Sequence, residues 1–273
     1  SAGAVTDSGT LAITGATTIS ASGQDITLDE AASTFGTLAL TGANVAVTDA
    51  GATDLGASTV SGTLNVTSAG AVTDSGTLAI TGATTISASG QDITLDEAAS
   101  TFGTLALTGA NVALTDAGAT DLGASTVSGT FGITSAGAVT DSGTLAITGA
   151  TTISASGQDI TLDEAASTFG TLSLTGANVA VTDAGATDLG TSTVSGTLGI
   201  TSGGAITDSG TLAITGAATL DNSGGTNDAI TLDDSSNAFN GTVTFTTDSG
   251  SAVTIVDTTA LDLVALTAAS LNV

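Results

Sequence analysis

The sequence lacks lysine, arginine, histidine, cysteine, proline, methionine, tryptophan and tyrosine altogether, and most of these absences exclude a class of structure or site. Without cysteine no disulfide can cross-link the fold, and without proline no residue removes a backbone donor from a strand. Without histidine or lysine, the many serine and threonine hydroxyls have no base that could activate them for nucleophilic catalysis. No apolar run is long enough to span a membrane. The composition therefore predicts a protein that is neither an enzyme nor inserted in a membrane.

The charge is all of one sign. The 273 residues include 26 acidic side chains and no basic ones, which gives a formal net charge of −26 at neutral pH. Such a chain would repel a nucleic acid, so nucleic-acid binding is excluded. Hydrophobic residues nevertheless make up 41% of the sequence, and the mean hydropathy is +0.46, too apolar for a disordered acidic tail. We therefore expect a long, thin core whose surface charge is balanced by solvent ions or by a partner.

Near-identical repeats account for the whole chain. Residues 1–67 recur at 68–134 and at 135–201, each time with four substitutions, and a looser fourth copy occupies 202–273. Repeats of this kind predict a stack in which each module contacts only its neighbours. The four copies are therefore expected to form one continuous solenoid rather than a globular domain with a single site.

Within one copy, apolar residues alternate with small or polar ones, and breaks rich in glycine and serine separate the alternating segments. This period of two predicts short β-strands with the aliphatic side chains on one face, and therefore an all-β fold. The residues predicted to face inward in the first copy are Leu11, Ile13, Ile26, Leu28, Leu38, Leu40, Val45, Val47, Leu64 and Val66.

A three-residue marker suggests the length of one coil. A valine, isoleucine or leucine, then any residue, then an acidic residue occur in this order at twelve places, spaced 19 to 26 residues apart. If each occurrence marks one coil, a 67-residue repeat contains about three coils, and the chain about twelve in all. Coils of this length predict a right-handed parallel β-helix, or β-solenoid, with three short strands per turn.

The acidic residues of the markers are the candidate site. Stacked one per coil, the carboxylates would lie about 5 Å apart, and divalent cations such as Ca²⁺ would relieve their repulsion because hard cations prefer carboxylate oxygen. Two alternatives stay open: each acid accepts backbone N–H groups in an Asx-type turn, or the acids attract only a diffuse cloud of counterions. The predicted acidic column consists of Asp7, Glu30, Asp49, Asp74, Glu97, Asp116, Asp141, Glu164, Asp183, Asp208, Asp234 and Asp257.

Three segments carry a resemblance to a known family: GANVAVTD at 42–49, LGASTVSG at 55–62 and GGAITDSG at 203–210. They resemble the repeat regions of giant secreted bacterial adhesins of the filamentous-haemagglutinin type, and the resemblance extends over essentially the whole chain. It implies a right-handed β-helical shaft that is extracellular or attached to the cell surface. No secretion domain, receptor-binding module or catalytic residue of those proteins can be carried over to this sequence.

These features predict a structural, non-enzymatic segment of an extracellular fibre or adhesin shaft, stiffened by β-ladders and coated with acidic residues. The alternative is a divalent-cation-dependent module that binds a surface layer or matrix, which requires saturable Ca²⁺ sites in proportion to the number of coils. The expected partner is the chain itself, through axial stacking, continuation into a further copy or lateral bundling. Axial continuation is suggested because Leu271-Asn272-Val273 repeats Leu64-Asn65-Val66, which come just before the second copy begins.

Overall fold

A computed structural model describes residues 1–248 and 250–273, and these residues form 35 short β-strands and no helix. The described strands pair in parallel with strands one turn away along the chain, so that Val45, for example, lies beside Leu64. The chain is thus an all-β parallel β-solenoid, and the predicted fold class is confirmed. Because the described residues contain no helix, none of them forms an apolar helix that could cross a membrane. The right-handed sense stays a prediction.

Residues 1–137 form the first of two compact units, and the chain passes alternately through its two parallel sheets. The first sheet of unit 1 consists of β1 (Val5–Thr6), β3 (Ile26–Leu28), β5 (Val45–Asp49), β8 (Leu64–Ser68), β11 (Thr84–Ser87), β13 (Thr104–Gly109), β15 (Thr120–Leu122) and β16 (Ser125–Val127). The second sheet consists of β2 (Thr17–Ser20), β4 (Thr37–Gly42), β6 (Thr53–Leu55), β7 (Ser58–Val60), β9 (Val72–Asp74), β10 (Leu78–Ile80), β12 (Ile93–Leu95), β14 (Val112–Asp116) and β17 (Phe131–Ser135).

Residues 138–273 form unit 2, which has the same two-sheet construction. Its first sheet consists of β18 (Val139–Asp141), β19 (Leu145–Ile147), β21 (Ile160–Leu162), β23 (Val179–Asp183), β26 (Leu198–Ser202), β29 (Ala218–Asp221), β32 (Thr242–Thr246) and β34 (Asp262–Thr267). Its second sheet consists of β20 (Thr151–Ser154), β22 (Thr171–Gly176), β24 (Thr187–Leu189), β25 (Ser192–Val194), β27 (Ile206–Asp208), β28 (Leu212–Ile214), β30 (Ile230–Leu232), β31 (Ala238–Phe239), β33 (Ala252–Ile255) and β35 (Ser270–Asn272).

One repeat makes about three and a half turns, which corrects the predicted three. Three steps along the first sheet of unit 1 lead from β1 to β8, and a further half turn leads to β9 in the second sheet. Strand β9 is the equivalent of β1 one repeat later, so equivalent strands of successive repeats lie in opposite sheets of the unit. In unit 2, β18 and β27 are exchanged in the same way. The turns of the looser fourth copy are longer, and the chain has about thirteen turns instead of the predicted twelve.

The core of each unit consists of aliphatic ladders, and the alternation in the sequence places them there. In β4, Leu38 and Leu40 are buried, whereas the alternating residues Thr37, Ala39 and Thr41 are partly exposed. Of the residues predicted to face inward, the structure buries Ile26, Leu28, Leu38, Leu40, Val45, Val47, Leu64 and Val66.

The other two predicted inward residues, Leu11 and Ile13, are only half-buried. They belong to the first turn of unit 1. Their equivalents one repeat later, Leu78 and Ile80, are buried. The inward assignment therefore holds for this position in the second repeat.

Buried serines replace backbone pairing at places where the ladder is interrupted. The Ser100 hydroxyl accepts the N–H of Leu78, one turn earlier, at 2.9 Å. The Ser125 hydroxyl accepts the N–H of Leu107 at 3.0 Å and donates to the carbonyl of Gly123 at 2.9 Å. Both serines are buried, and an N–H left unpaired at such a site costs on the order of 1–3 kcal/mol. These hydroxyls complete the hydrogen bonding of the turns.

Glycines at one corner let the backbones of successive turns come into contact. Gly82 donates its N–H to the carbonyl oxygen of Gly62 at 3.0 Å, and Gly103 packs on Gly82 in the following turn. A Cβ atom on Gly82 would lie 2.5 Å from the Gly62 oxygen and 2.7 Å from its carbonyl carbon. These are backbone atoms that cannot rotate away, so the spacing of the turns at this corner requires glycine.

Candidate functional site: the acidic turns

The first acid of each repeat caps the turn that follows it. In the second repeat, Asp74 ends β9, and its carboxylate accepts the N–H groups of Asp96 at 2.9 Å and Glu97 at 3.4 Å. Both donors lie where the chain leaves β12. Asp141 and Asp208 accept the equivalent N–H at 2.8 and 2.9 Å, and Asp7 accepts it at 3.2 Å. This acid therefore holds the backbone of the next turn in place.

The third marker acid of each of the first three repeats, which is Asp49, Asp116 or Asp183, is buried and forms an Asx-type turn. Asp116 is only 1% exposed. Its Oδ1 accepts the N–H of Gly118 at 2.8 Å, and its Oδ2 accepts the hydroxyl of Thr120 at 3.2 Å. Asp49 and Asp183 make the same contacts with the glycine two residues on and the threonine four residues on. An aspartate that accepts an N–H two residues later stabilises a turn locally, as one of the sequence alternatives expected.

The remaining predicted acids are more exposed. Glu97 is half-buried. Burial raises the pKa of the Asp74 carboxyl, and the nearby charge of Glu97 adds to that effect. In the fourth repeat, Asp234 accepts the N–H of Ser236 at 2.8 Å, and Asp257 accepts the N–H of Phe239 at 3.1 Å. Three acids on successive turns thus form one group in each repeat.

The twelve predicted acids do not form a single column, which corrects the sequence interpretation. In unit 1, Asp49 lies beside Ser68 in the following turn, and Asp116 lies beside Ser135, so a serine interrupts the acids after the third. The group that begins at Asp7 follows the first sheet, whereas the group that begins at Asp74 follows the second. Because each repeat makes a half turn more than three full turns, the acidic group of the next repeat lies in the other sheet. The acids therefore occur as groups of three on alternating sheets within a unit.

The groups do not resemble a metal site. Among residues 1–248 and 250–273, no three acidic side chains lie close enough together to hold a metal ion. Many of their oxygens already accept hydrogen bonds from backbone N–H or hydroxyl groups, as for Asp74 and Asp116. Binding of Ca²⁺ between turns stays a prediction.

A second polar ladder, which is not among the features predicted from the sequence, joins three successive turns in each of the first three repeats. Asn44 donates its backbone N–H and its Nδ2 to Asp25 at 3.1 and 2.9 Å. The Oδ1 of Asn44 accepts the backbone N–H of Thr63 at 3.1 Å and its hydroxyl at 3.2 Å. The signal in the sequence is the spacing: Asp25, Asn44 and Thr63 are each 19 residues apart, which is one turn here.

The same ladder recurs one and two repeats later. Asn111 joins Asp92 to Thr130, and Asn178 joins Asp159 to Thr197, all at 2.8–3.1 Å. The repeating unit is therefore preserved in its contacts between turns as well as in its sequence.

A family model described as repeats of unknown function (DUF5649) matches the chain four times in succession, at residues 1–41, 42–108, 109–175 and 176–246. The matches together span well over half of the 273 residues. The chain belongs to this family. Two of the matched segments are 67 residues long, so the family repeat has the period found in the sequence but begins at a different residue. No curated protein and no solved structure matches the chain.

In these DUF5649 repeats, burial raises the pKa of several aspartates because desolvation disfavours the charged carboxylate. Hydrogen bonds from N–H groups oppose the shift in each case, and for Asp74 the charges of Asp96 and Glu97 increase it. The aspartates whose pKa lies above the ordinary value are Asp74, Asp116, Asp141 and Asp183.

We expect the free energy of unfolding to rise when the pH is lowered from about 7 towards about 4. A pKa raised by folding means that the folded state favours the protonated carboxyl. The stability from these four groups is therefore complete below the ordinary pKa of 3.8 and is lost as the pH rises through the raised values. Asp248, whose pKa the N–H of Asn227 lowers, acts in the opposite sense, but it is a single group. Urea unfolding at a series of pH values measures the slope.

Two variants separate this effect from the relief of general charge repulsion. Asp116→Asn removes a buried carboxyl, whereas Asp29→Asn removes one charge from an exposed position. We expect Asp116→Asn to flatten the dependence of stability on pH more than Asp29→Asn does. Equal slopes in the two variants, or a parent that loses stability on acidification to pH about 4, would contradict the assignment.

Proposed function

We propose that this chain is a structural, non-enzymatic segment of an extracellular or cell-surface fibre, such as the shaft of an adhesin. The observation that carries the proposal is the direction of the polar contacts: side-chain hydrogen bonds join each turn to the next. Asn44 joins Asp25 to Thr63, and Asp54 accepts the hydroxyls of Thr37 at 2.7 Å and Ser75 at 2.8 Å, one turn on either side.

These contacts suit a protein that resists extension along the stack of turns. A pull in that direction loads the backbone ladders of both sheets and the side-chain bonds at the same time. Each hydrogen bond contributes only about 0.5–1.5 kcal/mol, but within a unit the same set is repeated at every repeat. The exposed carboxylates add repulsion between neighbouring shafts, which keeps them soluble and separate.

The non-enzymatic part of the proposal follows from the chemistry of the side chains. Catalysis by hydroxyl nucleophiles needs a base, and the sequence has neither histidine nor lysine. The carboxylates that could act as acids or bases are used by the fold, since Asp74 and Asp116 accept backbone N–H groups. The extracellular part rests on the resemblance of the repeats to those of secreted adhesins.

The location can be tested with antibodies against this chain, applied to cells that produce it. We expect labelling of intact cells, or of material released from them, to equal the labelling after permeabilisation. A cytoplasmic protein labelled in parallel provides the control for leakage. Labelling that requires permeabilisation would refute an extracellular role, whatever the mechanical properties of the chain.

The mechanical role is tested separately by pulling the chain from its two ends in a single-molecule force experiment. We expect it to unravel in small, repeated steps of about one turn, because each turn contacts only its neighbours. A chain that extends without such resistance would refute the structural role even if it is found outside the cell.

The alternative, a divalent-cation-dependent module that binds a surface layer or matrix, makes a different prediction. It requires saturable heat in a calorimetric titration with Ca²⁺, in proportion to the number of acidic groups. A titration without saturable heat would leave the acids as turn-forming residues with a diffuse ion cloud.

A further inference from the structure

A shallow groove crosses successive turns of unit 2 on the outer face of its first sheet. Its volume is about 190 Å³, and its floor contains Ala180 of β23 and Gly199 of β26, which lie side by side. Thr219 of β29 lies beside Gly199 in the following turn and also lines the groove. The groove is therefore a depression where two small residues meet on neighbouring strands.

A row of four polar side chains runs along this groove, one on each of four successive turns. Thr182 lies beside Thr201, and Thr201 lies beside Asp221. Asp163 begins the row, because it directly follows β21, which pairs in parallel with β23. All four residues line the groove. The row thus has a carboxylate at each end and two hydroxyl groups between them.

The spacing of the two carboxylates excludes a single metal ion as the shared ligand. Parallel strands lie about 4.8 Å apart, so Asp163 and Asp221 are separated by three such steps, or about 14 Å. Even calcium requires its oxygen ligands within about 2.6 Å. In the part of the chain that the structure describes, no three acidic side chains lie close enough together to hold a metal ion. A ligand that meets both carboxylates must therefore be elongated, with a positive charge towards each end.

No basic side chain of the protein can pair with these two carboxylates, because the sequence contains no lysine, arginine or histidine. The Oδ1 of Asp221 accepts the N–H of Ser223 at 2.9 Å and its hydroxyl at 2.6 Å, which fixes the orientation of that carboxylate. At the other end the negative charge is concentrated. Burial raises the pKa of Asp141 there, and the nearby charges of Asp163 and Glu164 add to that effect. The positive charge that balances the row must come from a ligand or from solvent ions.

The glycine of the floor and the second aspartate of the row occur together once among the four copies of the repeat. At the equivalent positions the first copy has Asn65 and Ser87, and the second copy has Gly132 and Ser154. In unit 1, Asn65 is exposed on the outer face of β8, where it occupies the place that the groove leaves open in unit 2. The groove with two charged ends is thus a local departure from the repeat rather than a property of every turn.

We propose that this groove binds a linear oligoamine that lies across the turns. One terminal ammonium group donates to Asp163 and the other to Asp221, in charge-assisted hydrogen bonds. Amine N–H groups between them donate to the hydroxyls of Thr182 and Thr201, which can accept them. The methylene segments lie over Gly199, where no side chain keeps them from the backbone. The proposal goes beyond the proposed function and does not rest on it, since the groove is complete within unit 2.

Calorimetric titration of the 273-residue chain with spermine tests the proposal, in about 0.15 M salt so that diffuse attraction to the acidic surface is screened. We expect one saturable site per chain. Gly199→Asn fills the groove with the residue of the first copy, leaves the net charge at −26, and should abolish the saturable heat. The variant should fold as the parent does, because a Cβ on Gly199 would lie 3.9 Å from the carbonyl oxygen of Val179.

A second pair of variants tests the charges at equal cost in net charge. Asp221→Ser introduces the serine that the first three copies carry at the equivalent position, and should weaken spermine binding about fivefold, the scale of one ion pair near a surface. Asp29→Asn removes one exposed charge from unit 1 and should leave the affinity unchanged. Putrescine, a shorter diamine that cannot reach from one carboxylate to the other, should bind more weakly than spermine.

Three results would each overturn the proposal. The first is a parent chain that gives no saturable heat with spermine. The second is a folded Gly199→Asn variant, with the urea midpoint of the parent, that binds spermine as the parent does, because the amine would then be held elsewhere on the acidic surface. The third is an equal loss of affinity in Asp221→Ser and Asp29→Asn, which would reduce the binding to a general attraction between opposite charges.

Discussion

Replacing Leu64 by aspartate should destabilise unit 1 by several kcal/mol, on the order of 4. Leu64 is 1% exposed and packs in β8 between Val45 of the preceding turn and Thr84 of the following one. A carboxylate at this position would lose its hydration in a core of aliphatic side chains. The sequence contains no lysine, arginine or histidine that could pair with it. Urea unfolding of the parent and the variant measures the change.

The neighbouring residue provides a matched control. Asn65 belongs to the same strand but is exposed, and the second and third repeats carry Gly132 and Gly199 in its place. Asn65→Asp adds the same charge as Leu64→Asp and should change the free energy of unfolding by less than about 0.5 kcal/mol. Similar losses in the two variants would contradict the assignment of inward and outward faces.

Gly82→Ala should cost about 1–3 kcal/mol, the range for overpacking at a site that cannot relax. The added methyl group would lie 2.5 Å from the carbonyl oxygen of Gly62 in the preceding turn. Gly103 packs on Gly82 from the following turn, so the backbone has little room to move in the other direction. Thermal and urea unfolding of the variant would show the loss.

The control is a glycine in an open position. A Cβ on Gly132 would lie 3.6 Å from the carbonyl of Val112, an ordinary contact, and the first repeat carries Asn65 there. Gly132→Ala should be neutral or stabilising by up to about 1 kcal/mol, because alanine reduces the freedom of the unfolded chain. If Gly82→Ala proves as harmless as Gly132→Ala, the turns are not held at the spacing described here.

The local features of the fold follow from the sequence because they depend on neighbouring residues. The alternation at Leu38, Ala39 and Leu40 determines a strand with one buried face, and the structure confirms it. Substitutions between copies obey the same rule, since Val47 becomes Leu114 in the core while exposed Asn65 becomes Gly132. The repeat itself predicts stacking, because no single module can cover its own apolar face.

The number of turns could not be obtained in this way. The acidic marker predicts one occurrence per coil, but Asp49 is already matched by Ser68 after one turn, and Asp74 follows a half turn later in the other sheet. The sequence between Asp49 and Asp74 contains Thr53-Asp54-Leu55 and Ser58-Thr59-Val60, strands without the marker. The register between strands is a property of the folded stack. The count of three and a half turns per repeat could therefore be obtained only from the tertiary structure.

For the acidic residues, too, some properties follow from the sequence and others only from the tertiary structure. The sequence by itself determined that acids stand at the ends of strands, that none can pair with a cation of the chain, and that a turn-forming role was one of three possibilities. The tertiary structure decided which backbone N–H groups they meet: the oxygens of Asp74 reach Asp96 and Glu97, more than twenty residues away. It also decided that Asp116 is buried, which raises its pKa. Contacts between turns depend on how far the chain travels in one turn, and that distance is set by packing and register rather than by any local segment.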